Sequence, residues 1–139
     1  MPIKPRVNFV SLAIMLALSA TIVAQQPPQQ SATQFYMAYK AAFRKAKTMK
    51  ELFPYMAKEK LAELKDASAA DLGKLWEMAK ELYVFSGEKV VTETLTPTGA
   101  TLNVEAVDPD KKKYRATVTL VKENNAWKLA EEDWSPATQ

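Results

Sequence analysis

The chain has neither cysteine nor histidine among its 139 residues. The absence of cysteine excludes disulfides, thiol nucleophiles, thiolate metal sites and a cysteine-linked lipid anchor. The absence of histidine removes the commonest general base and the commonest metal ligand, which argues strongly against a serine triad or a zinc hydrolase. Carboxylates, tyrosines and lysines remain for any chemistry. We therefore predict no metal site and no cofactor.

A large excess of charge of one sign is also missing. The formal net charge is +3, but Lys4 and Arg6 precede an apolar run and are expected to leave with it. The other 17 of the 19 Lys and Arg residues then face 16 Asp and Glu residues. A nucleic-acid binder depends on many uncompensated contacts to phosphates, so we predict no nucleic-acid partner.

The N-terminal residues 1–24 have the pattern of an export signal. A short basic start precedes an apolar run that ends on a small residue, Ala24, at the expected cleavage point. The alternative is an uncleaved membrane anchor, because the run approaches the roughly 17–25 residues that span a bilayer. Four polar residues dilute the run and no basic stop follows, so we favour cleavage, an exported (periplasmic or secreted) protein and no stable membrane span afterwards. Residues 25–32 are interpreted as a linker, and residues 33–135 as one domain.

Helical spacing dominates the first half of the domain. Ser31 and Gln34 have the spacing of a capping box, and the apolar stripe that follows ends near residue 46, with Lys40 off that stripe. Thr48 and Glu51 repeat the signal, Pro54 is expected to open a short helix over residues 55–64, and Ser68 is expected to cap a third clear helix.

From residue 84 the period becomes that of strands. Residues 87–95 and 101–107 are the first two predicted strands, and residues 113–134 form a hairpin around Asn124 and Asn125, which suit a type I′ turn. Helices followed by a meander predict an α+β fold. In it, three N-terminal helices pack on a curved four-stranded antiparallel sheet to form a cone.

This arrangement resembles the nuclear transport factor 2-like superfamily, which has a cystatin-like cone. It is most similar to small exported bacterial lumazine-binding-like domains of unknown function. The residues that carry the resemblance span 33–134: 35–43, 52–54, 115–120 and 126–129. The resemblance implies the cone fold, whereas the superfamily hosts isomerases, dehydratases, binding modules and assembly domains alike. Its histidine-dependent dehydratase chemistry does not transfer to a chain without histidine.

The interior of such a cone is the expected pocket. The aromatic and aliphatic side chains predicted to line it are Tyr36, Tyr39, Phe43, Trp76, Tyr114, Val118, Trp127 and Leu129. The competing interpretation is that these residues are plain core, since apolar stripes at regular spacing usually are.

Two carboxylates share the alternation of these residues. Glu93 lies between Val91 and Leu95, and Glu131 follows Leu129 at the same spacing. A carboxylate in an apolar pocket could act as a general base, so Glu93 with Tyr39 or Tyr114 is a candidate catalytic set. The related steroid-isomerase branch is similar in this respect. A β-bulge that exchanges the two faces, or an edge strand in water, would place these carboxylates outside the pocket.

Three hypotheses follow. The first is a non-catalytic module that binds a small apolar ligand or a protein partner. The second is an isomerase-like enzyme that uses Glu93. The third is a homodimer that buries the outer face of the sheet, whose expected residues are Thr101, Asn103, Thr117, Thr119 and Val121.

Overall fold

The computed structural model describes residues 30–138. Within them the element order is α1 Ala32–Lys45, a 3₁₀ helix Met49–Tyr55, α2 Lys58–Leu64, α3 Ala69–Leu82, β1 Ser86–Thr96, β2 Gly99–Val107, β3 Lys113–Glu123 and β4 Ala126–Pro136. The strands form an open antiparallel sheet in the order β1-β2-β3-β4. The predicted α+β class, with helices packed on an antiparallel meander, is confirmed. The predicted signal, residues 1–24, lies outside the described residues.

Two of the predicted helix starts have the expected caps. The hydroxyl of Ser31 accepts from the Gln34 N–H at 3.1 Å, and the Gln34 side chain accepts from the Ser31 N–H at 2.9 Å. This capping box starts α1 at Ala32, inside the stretch interpreted as a linker. Ser68 caps α3 through the Asp71 N–H. Thr48 makes no side-chain cap, and the segment after it forms a 3₁₀ helix.

The predicted helix over residues 55–64 is wrong at its start. Pro54 lies inside the 3₁₀ helix, and α2 begins only at Lys58. The cause is β4, because Met56 forms a parallel bridge with Leu129 and the Ala57 N–H donates to the Leu129 carbonyl at 2.8 Å. These two residues have extended backbones, so helical geometry resumes only after them.

The core lies between α1 and the inner face of the sheet. Alternate residues of β2 and β3 are buried, and the outward residues between them, which include those of the predicted dimer face, are half-buried or exposed. The largest fully buried side chains are Tyr36, Lys40, Leu52, Leu102, Leu120, Leu129, Val104 and Val118. Each fully buried aliphatic side chain contributes about 1.5–3 kcal/mol.

The turns follow the sequence signals. Asn124 and Asn125 have φ angles of 51° and 62°, as a type I′ hairpin requires. Gly99 pairs with Val121 across β2 and β3, and a Cβ atom at Gly99 would lie 1.9 Å from the Leu120 carbonyl oxygen. A side chain at this position is therefore incompatible with the strand spacing.

Candidate functional site

A β-bulge in β4 decides which acidic residue points inward. Leu129 pairs with Leu120 but Glu131 pairs with Thr119, so Ala130 is an extra residue. Such a residue reverses the faces of the strand beyond it. Glu132 consequently faces the helices, whereas Glu131 is exposed. The expectation that Glu131 continues the inner face after Leu129 is wrong, because regular alternation does not include the bulge.

Glu132 meets a buried lysine. The Lys40 Nζ atom lies 3.5 Å from Glu132 Oε1, and the two side chains are only 2% and 8% exposed. The assignment of Lys40 to the polar side of α1 is therefore also wrong. Burying this pair removes two charges from water, at an effective cost of several kcal/mol per ion before their mutual attraction is counted. The surroundings must offset that cost.

Aromatic rings around Lys40 offset part of the cost of removing its charge from water. In the described chain, five ring centroids lie 5.2–6.0 Å from Lys40 Nζ. They belong to Tyr36, Tyr39, Phe43, Tyr83 and Trp134. Each ring face attracts a cation through its quadrupole, by about 0.5–2 kcal/mol depending on desolvation. We call Lys40, Glu132 and these five rings the lysine cage.

A second ion pair lies beside the lysine cage, and the charge of its carboxylate acts on Tyr36. Arg44, one turn after Lys40 on α1, contacts Glu88 of β1. The Glu88 side chain is only 3% exposed, whereas that of Arg44 is 48% exposed. A register shift between Ser86 and Lys89, with Gly87 at a φ angle of 63°, accompanies the inward turn of Glu88. The two pairs together add no net charge to the interior.

The lysine cage leaves polar atoms without partners. Among the described residues, Tyr36 Oη, Glu132 Oε2 and Trp134 Nε1 are buried without a hydrogen bond of ordinary geometry, although the Tyr36 hydroxyl lies near enough to Glu132 to donate to it. Such orphans cost roughly 1–3 kcal/mol each. Burial, followed by the charge of Glu132, raises the pKa of Tyr36 and of Tyr39 far above the ordinary value of 10.0. The pKa of Tyr83 is raised by the same two causes, so all three phenols are neutral donors at physiological pH.

An open cleft of about 290 Å³ borders the lysine cage. It lies between the 3₁₀ helix, α2, α3 and β4. Its lining is mostly aliphatic and aromatic: Tyr39, Phe43, Met49, Leu52, Met56, Lys60, Leu64, Leu75, Met78, Ala79, Leu82, Tyr83, Leu129 and Glu132. Leu75, Met78 and Leu82 are 38%, 55% and 61% exposed, so its rim presents apolar surface to solvent. Glu132 therefore belongs both to the lysine cage and to the lining of the cleft.

The residues predicted to line the pocket are divided among several places. Tyr39, Phe43 and Leu129 border the cleft. Tyr36 and Val118 are fully buried in the core. Trp76 is also buried, with its ring centroid 5.3 Å from that of Phe43. None of these last three residues borders the cleft, and Trp76 borders a separate surface depression.

The other two predicted lining residues lie elsewhere. Trp127 is half-buried, and its indole N–H donates to the Gln30 carbonyl at 2.7 Å. The Tyr114 ring packs on Phe85 with 4.9 Å between centroids. Neither residue borders the cleft.

Glu93 is exposed and serves the start of α1. Its carboxylate accepts from the Thr33 N–H at 3.0 Å and from the Thr33 hydroxyl. A carboxylate at a helix N-terminus is favourable because it complements the helix dipole. Tyr39 lies six residues further along α1, roughly 9 Å at the helical rise, and Tyr114 packs on Phe85. The structure therefore does not bring the predicted catalytic set together.

Sequence reasoning missed Lys40 and Glu132. Tyr36 and Phe43 flank Lys40 at i−4 and i+3, and this spacing could have indicated a lysine between aromatic rings on one helix face. No local signal shows the bulge that turns Glu132 inward, because it depends on the pairing with β3.

The described part of the chain also bears on two other kinds of site, a membrane span and a metal site. No helix there is long and apolar enough to cross a membrane. Residues 30–138 also contain no cluster of three or more acidic side chains that could hold a metal ion.

Comparison of the chain with family models, with curated proteins and with solved structures found no match.

Proposed function

We propose that the chain is an exported, non-catalytic module that binds a small apolar molecule in the cleft. The observation that carries the proposal is the cleft itself, which combines an apolar lining with one buried carboxylate, Glu132. Small-molecule sites are typically apolar clefts that contain a small number of polar groups. Export rests on the sequence of residues 1–24, and membership of the nuclear transport factor 2-like superfamily remains part of this proposal.

The size of the cleft limits the ligand. Its volume of about 290 Å³ is at the lower end for ligand pockets. At about 30 Å³ for each water-sized group, it holds about ten non-hydrogen atoms. If each atom contributes roughly 0.5 kcal/mol, the dissociation constant is on the order of 200 μM.

The methionine side chains in the lining allow the cleft to adapt to more than one ligand shape. Met49, Met56 and Met78 border the cleft. The unbranched, polarisable thioether adapts to irregular apolar surfaces and contacts aromatic rings favourably. We expect the cleft to accept both flat and linear apolar molecules of the stated size.

The methionine methyl groups also provide the test. p-Xylene, an apolar molecule of suitable size, is titrated into the full chain carrying ¹³C-methyl methionine. We expect saturable NMR shifts of Met49, Met56 and Met78, and no shift of Met37, which is exposed on α1 away from the cleft. Absence of saturable shifts, or shifts centred on Met37, would overturn the proposal.

A pair of variants on α3 locates the site independently. Ala79 borders the cleft, whereas Ala70 is exposed near the start of α3 and does not. Ala79→Phe should fill the cleft and abolish the p-xylene response, and Ala70→Phe should preserve it. Light scattering over a dilution series shows whether a second copy, rather than a small molecule, covers the cleft.

A further inference from the structure

We infer that the natural ligand is the anion of a medium-chain monocarboxylic acid, whose carboxylate pairs with Lys60. This inference rests on the proposed function and specifies the ligand of the same cleft. Of the described residues that line the cleft, only Lys60 and Glu132 carry a charge. The Glu132 side chain is 8% exposed and is paired with Lys40, whereas Lys60 is half-buried and makes no ion pair within the described residues.

Lys60 lies on the face of α2 that borders the cleft. Leu64, one helical turn later, borders the cleft as well, whereas Lys58 and Lys65 are exposed and do not. A lysine can cover apolar surface with its methylene groups and keep its ammonium in water, and in that case it needs no partner. The same arrangement places the ammonium at the opening of an apolar cleft. A molecule whose apolar tail occupies the cleft therefore brings its polar end to this cation.

The charges around the cleft favour an anion at Lys60 and disfavour one elsewhere. Lys40 cannot take this role, because its side chain is only 2% exposed and is already paired. Burial and then the charge of Glu132 raise the pKa of Tyr83, which borders the cleft, so a second negative charge at that wall would be repelled. A cationic head group would be repelled by Lys60, and a neutral one would gain no charge interaction there.

The volume of the cleft selects the length of the ligand. The cleft holds about ten non-hydrogen atoms in its volume of about 290 Å³. Octanoate, with eight carbon atoms and two oxygen atoms, has this size. Its tail would cover the exposed apolar rim formed by Leu75, Met78 and Leu82, and removing that rim from water favours binding. Octanoate is therefore the probe of choice.

The test compares octanoate with octanamide, a neutral compound with the same number of non-hydrogen atoms. Both are titrated into the full chain at neutral pH and low salt, and the affinities are measured through the methyl signals of Met49, Met56 and Met78. We expect octanoate to bind about threefold to tenfold tighter, because a charge pair at a half-exposed site is partly screened by water. The difference should decrease in about 0.5 M salt. Octylammonium should bind more weakly than octanamide.

Two lysine variants of α2 assign the preference. Lys60→Gln removes the charge and keeps most of the side-chain length, so the ratio of octanoate to octanamide affinity should fall to about one. Lys58→Gln makes the same change in net charge at an exposed position that does not border the cleft, and it should preserve the ratio. p-Xylene carries no charge and should bind both variants as it binds the wild type. The wild-type ratio and its salt dependence test the inference without any variant.

The outcomes separate the two proposals. Octanamide binding as tightly as octanoate, with p-xylene still binding, would overturn the inference of an anionic ligand and leave the proposed function intact. An octanoate preference that survives in Lys60→Gln, or that Lys58→Gln removes equally, would overturn the role of Lys60. Failure of p-xylene to bind would overturn both proposals.

Discussion

At the scale of single residues, the molecule depends on how Lys40 is held. A lysine that is 1% exposed is rare, because burial penalises its charge. Glu132 provides the opposite charge and five rings provide polarisable faces. The arrangement joins α1 to β4 and holds a carboxylate that borders the cleft.

Removing one partner of the buried pair should destabilise the fold far more than removing both. Lys40→Met leaves Glu132 buried and uncompensated, and we expect a loss of about 3–5 kcal/mol in the free energy of unfolding. Lys40→Met combined with Glu132→Leu places apolar side chains on both sides and should recover most of that loss. Urea denaturation at neutral pH measures both values. A double variant as unstable as the single one would show that the pair itself stabilises the fold.

At the scale of elements, local sequence patterns predicted the helix caps and the hairpin turn that depend on contacts between nearby residues. The capping box at Ser31, the cap at Ser68 and the turn at Asn124 and Asn125 each involve contacts within a few positions, so the sequence indicates them. The bulge at Ala130 depends on which residue of β3 lies opposite, and the late start of α2 depends on β4. The inward residue of the candidate site was therefore misassigned by one position, although the strand itself was predicted.

Glu93 has a structural role at the start of α1, whereas the sequence suggested a catalytic one. Because its carboxylate accepts from the Thr33 hydroxyl at the start of α1, we expect a coupling energy of about 0.5–1 kcal/mol between the two side chains. The measurement is a double-mutant cycle of Glu93→Gln and Thr33→Val by urea denaturation, in which each single variant controls the other. The p-xylene response should be unchanged in all variants. A weakened response in Glu93→Gln would instead connect Glu93 with the cleft.

At the scale of the whole molecule, the order of helices and strands was enough to predict the class. The sequence did not predict which aromatic rings are buried in the core and which border the cleft. This division depends on how deeply each ring is buried once α1, α3 and β4 pack together. Tyr36 is fully buried in that packing, while Tyr39 reaches the cleft and Tyr114 packs on Phe85 away from it. Tyr36 and Tyr39 belong to a helical pattern and Tyr114 to a strand pattern, and neither periodicity indicates how deeply a ring is buried.

This packing also determines how the folded chain responds to alkaline pH. Burial and the charge of Glu132 raise the pKa of Tyr36 and Tyr39 in the folded state, whereas both titrate near 10.0 when unfolded. A raised folded pKa means that the unfolded state loses the proton first, so the stabilisation is complete below about pH 10 and is lost as the pH rises further. Each tyrosine should contribute a decrease of about 1.4 kcal/mol per pH unit in that range. Tyr39→Phe removes one of these contributions, and urea denaturation between pH 9 and about pH 11.5 should show a correspondingly shallower decrease. An unchanged slope in Tyr39→Phe would mean that this ring is not sealed from water as the packing of α1 against β4 requires.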